Sequence, residues 1–169
     1  LSVFNLKKND VFGIFEIGMD KKGEIDYLSK IIKPDVGVIT NISYAHIKNF
    51  KNINQIALAK SEIIKNIKDD GYLILNKDDE FFNFHKKIGL KKNLKILSFS
   101  LKDKSATTNL DSISKKKSKY KISININKKK IYFFLNSFFE NDLKNLLATV
   151  TIIAIFKDIH KLDKNIFYD

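Results

Sequence analysis

Lys60 stands where a lysine is costly. The stretch NINQIALAKSEIIKNI carries Ile53, Ile56, Ile63, Ile64 and Ile67, which form one apolar stripe when stepped at about 100° per residue. Lys60 falls in the middle of that stripe, with Ile56 at i−4 and Ile63 at i+3. A charged amine on a core face needs a partner or a chemical change. Burial favours loss of its proton, and a neutral amine can be modified or act as a nucleophile. The plain alternative is an aliphatic stem that packs on apolar surface while its head reaches water.

Two further residues could do chemistry beside it. Glu16 closes the apolar run Val11-Phe12-Gly13-Ile14-Phe15. A carboxylate at the end of a strand suits a hard cation, which takes oxygen ligands; otherwise it faces solvent or a helix start. His46 lies five residues after Asn41, beyond the run Val36-Gly37-Val38-Ile39. Open α/β sheets place ligands outside the carboxyl ends of their strands, and imidazole is a common metal ligand. The same polar residues, Asn41 and Ser43, would also serve an ordinary loop and helix cap. Asn141, Asp142 and Asn145 begin the last helical stretch, where Asn141 or Asp142 is a natural cap. The exit Leu75-Asn76-Lys77-Asp78-Asp79 reads as a cap as well. Gly13, Gly18 and Gly23 make no GxGxxG fingerprint, and no Gly-Lys-Ser/Thr occurs, so these residues contain no phosphate-binding P-loop.

The elements that must position these residues alternate. Strands are predicted at Val11–Phe15, Val36–Ile39, Tyr72–Leu75 and Leu94–Phe99. Helices are predicted from Gly23 to a stop at Pro34, from Ile53 to Ile67, from Asp79 to Ile88 with Gly89 at its end, and from about Asp142 to Phe156. Such alternation implies βαβ units and a mainly parallel sheet flanked by helices. Residues 101–118 are polar and read as a loop or ragged edge. Tyr120–Ile126 then alternates apolar and polar, and Ile131–Leu135 returns after a turn at Asn127–Lys130, a small antiparallel hairpin in the C-terminal part.

Composition narrows the classes. The 169 residues are 44% hydrophobic, enough for one domain with a real core and unlike a disordered chain. No apolar run is long enough to cross a membrane, and the start LSVFNLKKND lacks the apolar region of a signal peptide. It begins with Leu1, which fits a fragment. Cysteine is absent, which excludes disulfides and thiolate metal sites. The net charge of +12 is carried by lysine alone, with no arginine. Recognition of phosphates and bases usually draws on arginine, so the lysines read as solvated surface and no nucleic-acid partner is expected. A basic nucleic-acid-binding α/β module is the rival from another class, and it leaves Lys60 unexplained.

The segments FEIGMDKKGEIDYL, KPDVGVITNISYAHI, INQIALAKSEII and GYLILNKDD together resemble the central domain of the Mur ligases. Their order, and Glu16-Ile17-Gly18 followed by Gly23-Glu24-Ile25, look most like the branch that adds D-Ala-D-Ala. The resemblance covers residues 1–100 well and 120–156 loosely. It implies an ATP-binding, mostly parallel sheet whose P-loop segment lies upstream of Leu1. It implies a cytoplasmic, monomeric, peptidoglycan-precursor ligase without membrane insertion. Its substrates would be UDP-N-acetylmuramoyl-tripeptide and D-Ala-D-Ala, joined through an acyl phosphate. Carried over by motif position, Glu16, His46 and Lys60 would be the catalytic, magnesium-binding set, with Lys60 carbamylated. Asn145 would contact the nucleotide base, with Asn141 and Asn41 beside the cofactor. The family's Gly-x-His-Asn is replaced near Phe138-Phe139-Glu140-Asn141-Asp142, so the adenine side departs from the pattern. Residues 1–157 would be a partial central domain, inactive alone, and 158–169 the start of a linker. Two readings compete within this frame: another amide ligase of the superfamily, adding a single amino acid or a glutamate to folate, and a decayed remnant.

Overall fold

The computed structural model describes residues 7–43 and 49–156. Its centre is β2 (Tyr72–Asn76), an almost unbroken apolar run. Such a run requires cover on both faces, the signature of a buried parallel strand. Leu73 and Leu75 face one apolar cluster with Ile39, Ile64 and Ile67, whereas Ile74 faces another with Phe99, Ile124 and Leu147.

Around it runs a six-stranded sheet in sequential order. β1 (Val36–Ile39), β2, β3 (Lys95–Ser100) and the start of β4 (Thr108–Lys116) are parallel. β4, β5 (Lys119–Ile126) and β6 (Lys129–Leu135) continue as an antiparallel meander. The expected α/β class and the C-terminal hairpin are therefore present. Asn127 and Lys128, at φ of 47° and 63°, make the two-residue turn between β5 and β6. Positive φ at both central residues matches the twist of the strands they join.

Helices cover the two faces. α5 (Glu140–Phe156) lies across β2, β3 and β4, burying Leu143, Leu147 and Val150. On the other face, α4 (Phe82–Lys91) packs on β2 and β3. Gly89 sits inside α4 and does not end it. A Cβ there would lie 2.6 Å from Leu73 Cδ2 and 2.7 Å from Ile96 Cδ1, so the glycine permits close helix–sheet approach. α1 (Glu24–Ile32) packs on α3 (Glu62–Asn66).

Three other expectations are corrected. Residues 11–15 form no strand: among the described residues they pair with none of the six strands, and Val11 and Ile14 are 83% and 94% exposed. An extended run without a partner has nothing to satisfy its backbone ladder. Residues 108–116, expected within a loop, are β4. Its inner end buries Thr108 and packs Leu110 on the core, while its outer end is polar and exposed, so pairing with β5 supplies the order that its own composition hides. The single helix expected over Ile53–Ile67 is split into α2 (Ile53–Lys60) and α3 at Ser61. The Ser61 hydroxyl donates to the Leu58 carbonyl at 2.6 Å, a local bond that competes with the helical ladder.

Candidate active site at the strand exits

The site grows from the carboxyl ends of β1 and β2. β1 stops at Ile39, and Thr40-Asn41-Ile42 continue as an irregular loop. α2 follows, capped by Asn52, whose side chain accepts from Gln55 N at 3.1 Å. Ile56, Ala57 and Ala59 are buried, and Lys60 ends the helix half-buried. Its Nζ donates to the Asn41 carbonyl at 2.8 Å. Burial pushes the Lys60 amine below the usual lysine range, and the charge of Asp79 opposes that shift. The apolar stripe therefore brings the lysine to the place where β1 ends.

Asp79 closes the other side. It lies past the end of β2 and before α4. Its Oδ2 accepts from Ile42 N at 2.7 Å and its Oδ1 from Phe81 N at 2.9 Å. His85 follows inside α4, 1% exposed, and its Nε2 donates to the Ala57 carbonyl at 3.0 Å. A carbonyl only accepts, so the neutral ring carries its proton on Nε2. Burial pushes the imidazole below its ordinary range, with the Ala57 bond and Asp79 opposing. Ile39, Leu75, Asn76, Asp79, Phe82 and His85 close around a pocket of about 10 Å³. Sequence reading assigned Asp79 to capping and passed over His85. The available signal for His85 was its place on the inner side of α4, three residues from Phe82.

The next exit is equally polar. Asp78 accepts from Ser100 Oγ at 2.5 Å and from Leu101 N at 2.6 Å. The Ser100 hydroxyl in turn accepts from Lys102 N at 3.0 Å and Asp103 N at 2.6 Å. Ser105 and Lys77 hold the Asp103 carboxyl down at about 2, the Ser105 hydroxyl first among the causes.

Of the anticipated site residues, Lys60 and Asn41 meet. Glu16 is exposed on the irregular segment after Lys7, and among the described residues it forms no hydrogen bond or ion pair. His46 lies outside the described residues. Asn141 and Asn145 are exposed on the first two turns of α5. That helix starts near the second exit, since Lys102 and Asp78 both act on the charge of Glu140. Among the described residues no group of three or more His, Cys, Asp or Glu gathers to hold a metal. The Lys60 amine as it stands offers no oxygen donor to a hard cation and would need to be carbamylated to do so.

A mostly parallel sheet flanked by helices, with polar groups at its strand exits, defines an open α/β domain. The model of the Mur ligase middle domain matches residues 1–153, and the chain belongs to that family. It is 33% identical over 152 residues to UDP-N-acetylmuramoyl-tripeptide–D-alanyl-D-alanine ligase of Buchnera aphidicola subsp. Baizongia pistaciae, covering 90% of this chain and 32% of that protein. The crystal structure of MurF from Acinetobacter baumannii superposes with a TM-score of 0.81 at 27% identity, over 92% of this chain and 33% of that one. MurF from Thermotoga maritima, solved in complex with ADP, shares the fold with a TM-score of 0.71 at 21% identity, over 88% and 34% of the two chains. The chain thus spans about a third of the length of these relatives. No described helix is long and apolar enough to cross a membrane.

Proposed function

We propose that this chain is the central part of an ATP-dependent ligase that joins D-Ala-D-Ala to UDP-N-acetylmuramoyl-tripeptide through an acyl phosphate, in peptidoglycan-precursor synthesis. The observation that carries the reading is Lys60, half-buried at the exit of β1 and held by the Asn41 carbonyl. In this reading the amine takes up carbon dioxide. The resulting carbamate, with Glu16 and His46, would hold magnesium, which supplies charge neutralisation for the transferred phosphoryl group. Lys60 contributes a fixed anionic arm, and the exits after β1 and β2 orient the nucleotide. Asn145 and Asn141, on the free side of α5, would meet the adenine side, with Asn41 nearer the phosphates.

Residues 1–157 would belong to this central domain and 158–169 would lead into a linker. The enzyme would be a cytoplasmic monomer, and the 169 residues alone would be inactive because they contain no P-loop.

The test is an assay of the polypeptide that contains this chain. With ATP, magnesium and UDP-N-acetylmuramoyl-tripeptide, ADP release should depend on added D-Ala-D-Ala. Release that depends on a single amino acid, or on folate and glutamate, would move the reading to another amide ligase. ATP-dependent ligation by the 169 residues alone would contradict the claim that they are incomplete.

A further inference from the structure

We propose that Asp79 is the positioning residue of Lys60 and acts through the peptide group between Asn41 and Ile42. The inference rests on the reading of Lys60 as the reactive lysine. That peptide group is gripped at both ends. Its carbonyl accepts from Lys60 Nζ at 2.8 Å, and its N–H donates to Asp79 Oδ2 at 2.7 Å. Carboxylate, peptide and ammonium form a chain in which each bond polarises the next. Both outer bonds involve charged groups, the stronger kind.

The anchor of the chain is rigid. The second oxygen of Asp79 accepts from Phe81 N at 2.9 Å and its carbonyl accepts from Phe82 N at 3.0 Å. Asp79 is thus fixed to the start of α4, which packs on β2 and β3. Among the described residues, 40–43 are irregular and pair with no strand. The bond to Asp79 fixes the Asn41–Ile42 peptide group, and with it the Asn41 carbonyl, from the Ile42 side. Asp79 touches neither the amine by a hydrogen bond nor, in the proposed reaction, the substrate. It aims the acceptor that holds the lysine.

The experiment is carbonyl and amide NMR on the isotope-labelled chain. Lys60→Met gives the displacement of the Asn41 carbonyl carbon when the ammonium is removed. Asp79→Ala should move that carbon in the same direction by at least half as much, although Lys60 is intact. Asp79→Asn keeps one acceptor and should move it less than Asp79→Ala does. A general loss of stability would not reproduce this ordered shift at one carbonyl. An Asn41 carbonyl unmoved in Asp79→Ala, with the Ile42 amide displaced, overturns the proposal. Should Asp79→Ala fail to fold, an unmoved carbonyl in the near-isosteric Asp79→Asn overturns it, and a displacement toward the Lys60→Met position supports it. A separate spectrum with carbon-13 bicarbonate tests the reading beneath: a carbamate signal lost in Lys60→Met supports it. Its absence removes carbamylation while leaving the carbonyl shifts to decide the role of Asp79.

Discussion

The two ends of the parallel strands treat the same side chain in opposite ways. At the carboxyl ends, Lys60 is desolvated and held by the Asn41 carbonyl, with the charge of Asp79 acting on its amine, while Asp78 and Ser100 bond to each other at the next exit. At the amino ends, Lys30, Lys33, Lys65, Lys68 and Lys92 rim an open groove of about 460 Å³. There the chain enters β1, β2 and β3, and α1, α3 and α4 terminate. Cations near helix C-termini complement the exposed carbonyls. Three of these lysines also meet carboxylates, Lys30–Asp26 at 3.1 Å, Lys68–Asp35 at 2.7 Å and Lys92–Asp69 at 3.5 Å. The net charge of +12 is thus no guide to function. What sets Lys60 apart from the groove lysines is that burial lowers the proton affinity of its amine.

The contrast can be broken most severely at Lys60. In the polypeptide that contains this chain, Lys60→Met should lower the rate of ADP formation about 100-fold or more, the scale of losing one preorganised charge. Steady-state kinetics checks this, and activity within a factor of two of the parent would remove the lysine from the chemistry. The frame comes next. Asp78→Ala leaves the Ser100 hydroxyl and the Leu101 amide without their acceptor and should cost about 1–3 kcal/mol in urea unfolding.

A smaller effect is expected from His85, and it has a sign. Its folded value lies below the ordinary 6.5 because burial disfavours the imidazolium. The unfolded state therefore takes up a proton first as pH falls. The stability His85 contributes is full above 6.5 and declines below it. Unfolding curves from pH 8 to pH 5 should show the decline, and His85→Gln should flatten it. The smallest effect belongs to the opposite end of the sheet. Lys33→Gln and Lys65→Gln together should change stability by no more than about 0.5 kcal/mol. A clear loss in thermal melts would show that the groove lysines do structural work, erasing the contrast.

Much of this was legible in the sequence, for stated reasons. The runs at 36–39, 72–75 and 94–99 are buried on both faces, and only a strand between two helical layers needs such continuity. The lysine on the apolar stripe stood out as a candidate because a core-facing charge requires an explanation. Three features were not legible. β4 buries residues only at its inner end, with Ile113 exposed further along, so its order comes from pairing with β5 and not from its own pattern. Residues 11–15 have a strand's composition but pair with no described strand, and composition cannot report pairing. Asp79 and His85 read as cap and helix residues because their partners, Ile42 N and Ala57 O, are backbone groups 37 and 28 positions away. Backbone acceptors and donors leave no trace in residue types.

The break at Ser61 has a mechanical consequence. Lys60 and Glu62 are two positions apart, about 200° around a helix, so they reach in opposite directions from one short segment. Lys60 grips the Asn41 carbonyl, while the Glu62 carboxylate accepts from Gly23 N at 2.9 Å and 3.0 Å and from Asp26 N at 3.2 Å. Gly23, at φ of 92°, is the left-handed pivot from which α1 starts. Ser61 is therefore a fulcrum with an arm on either side. A rotation that relaxes the grip on one side tightens or tears it on the other. The loop before α1 and the loop after β1 cannot be repositioned independently.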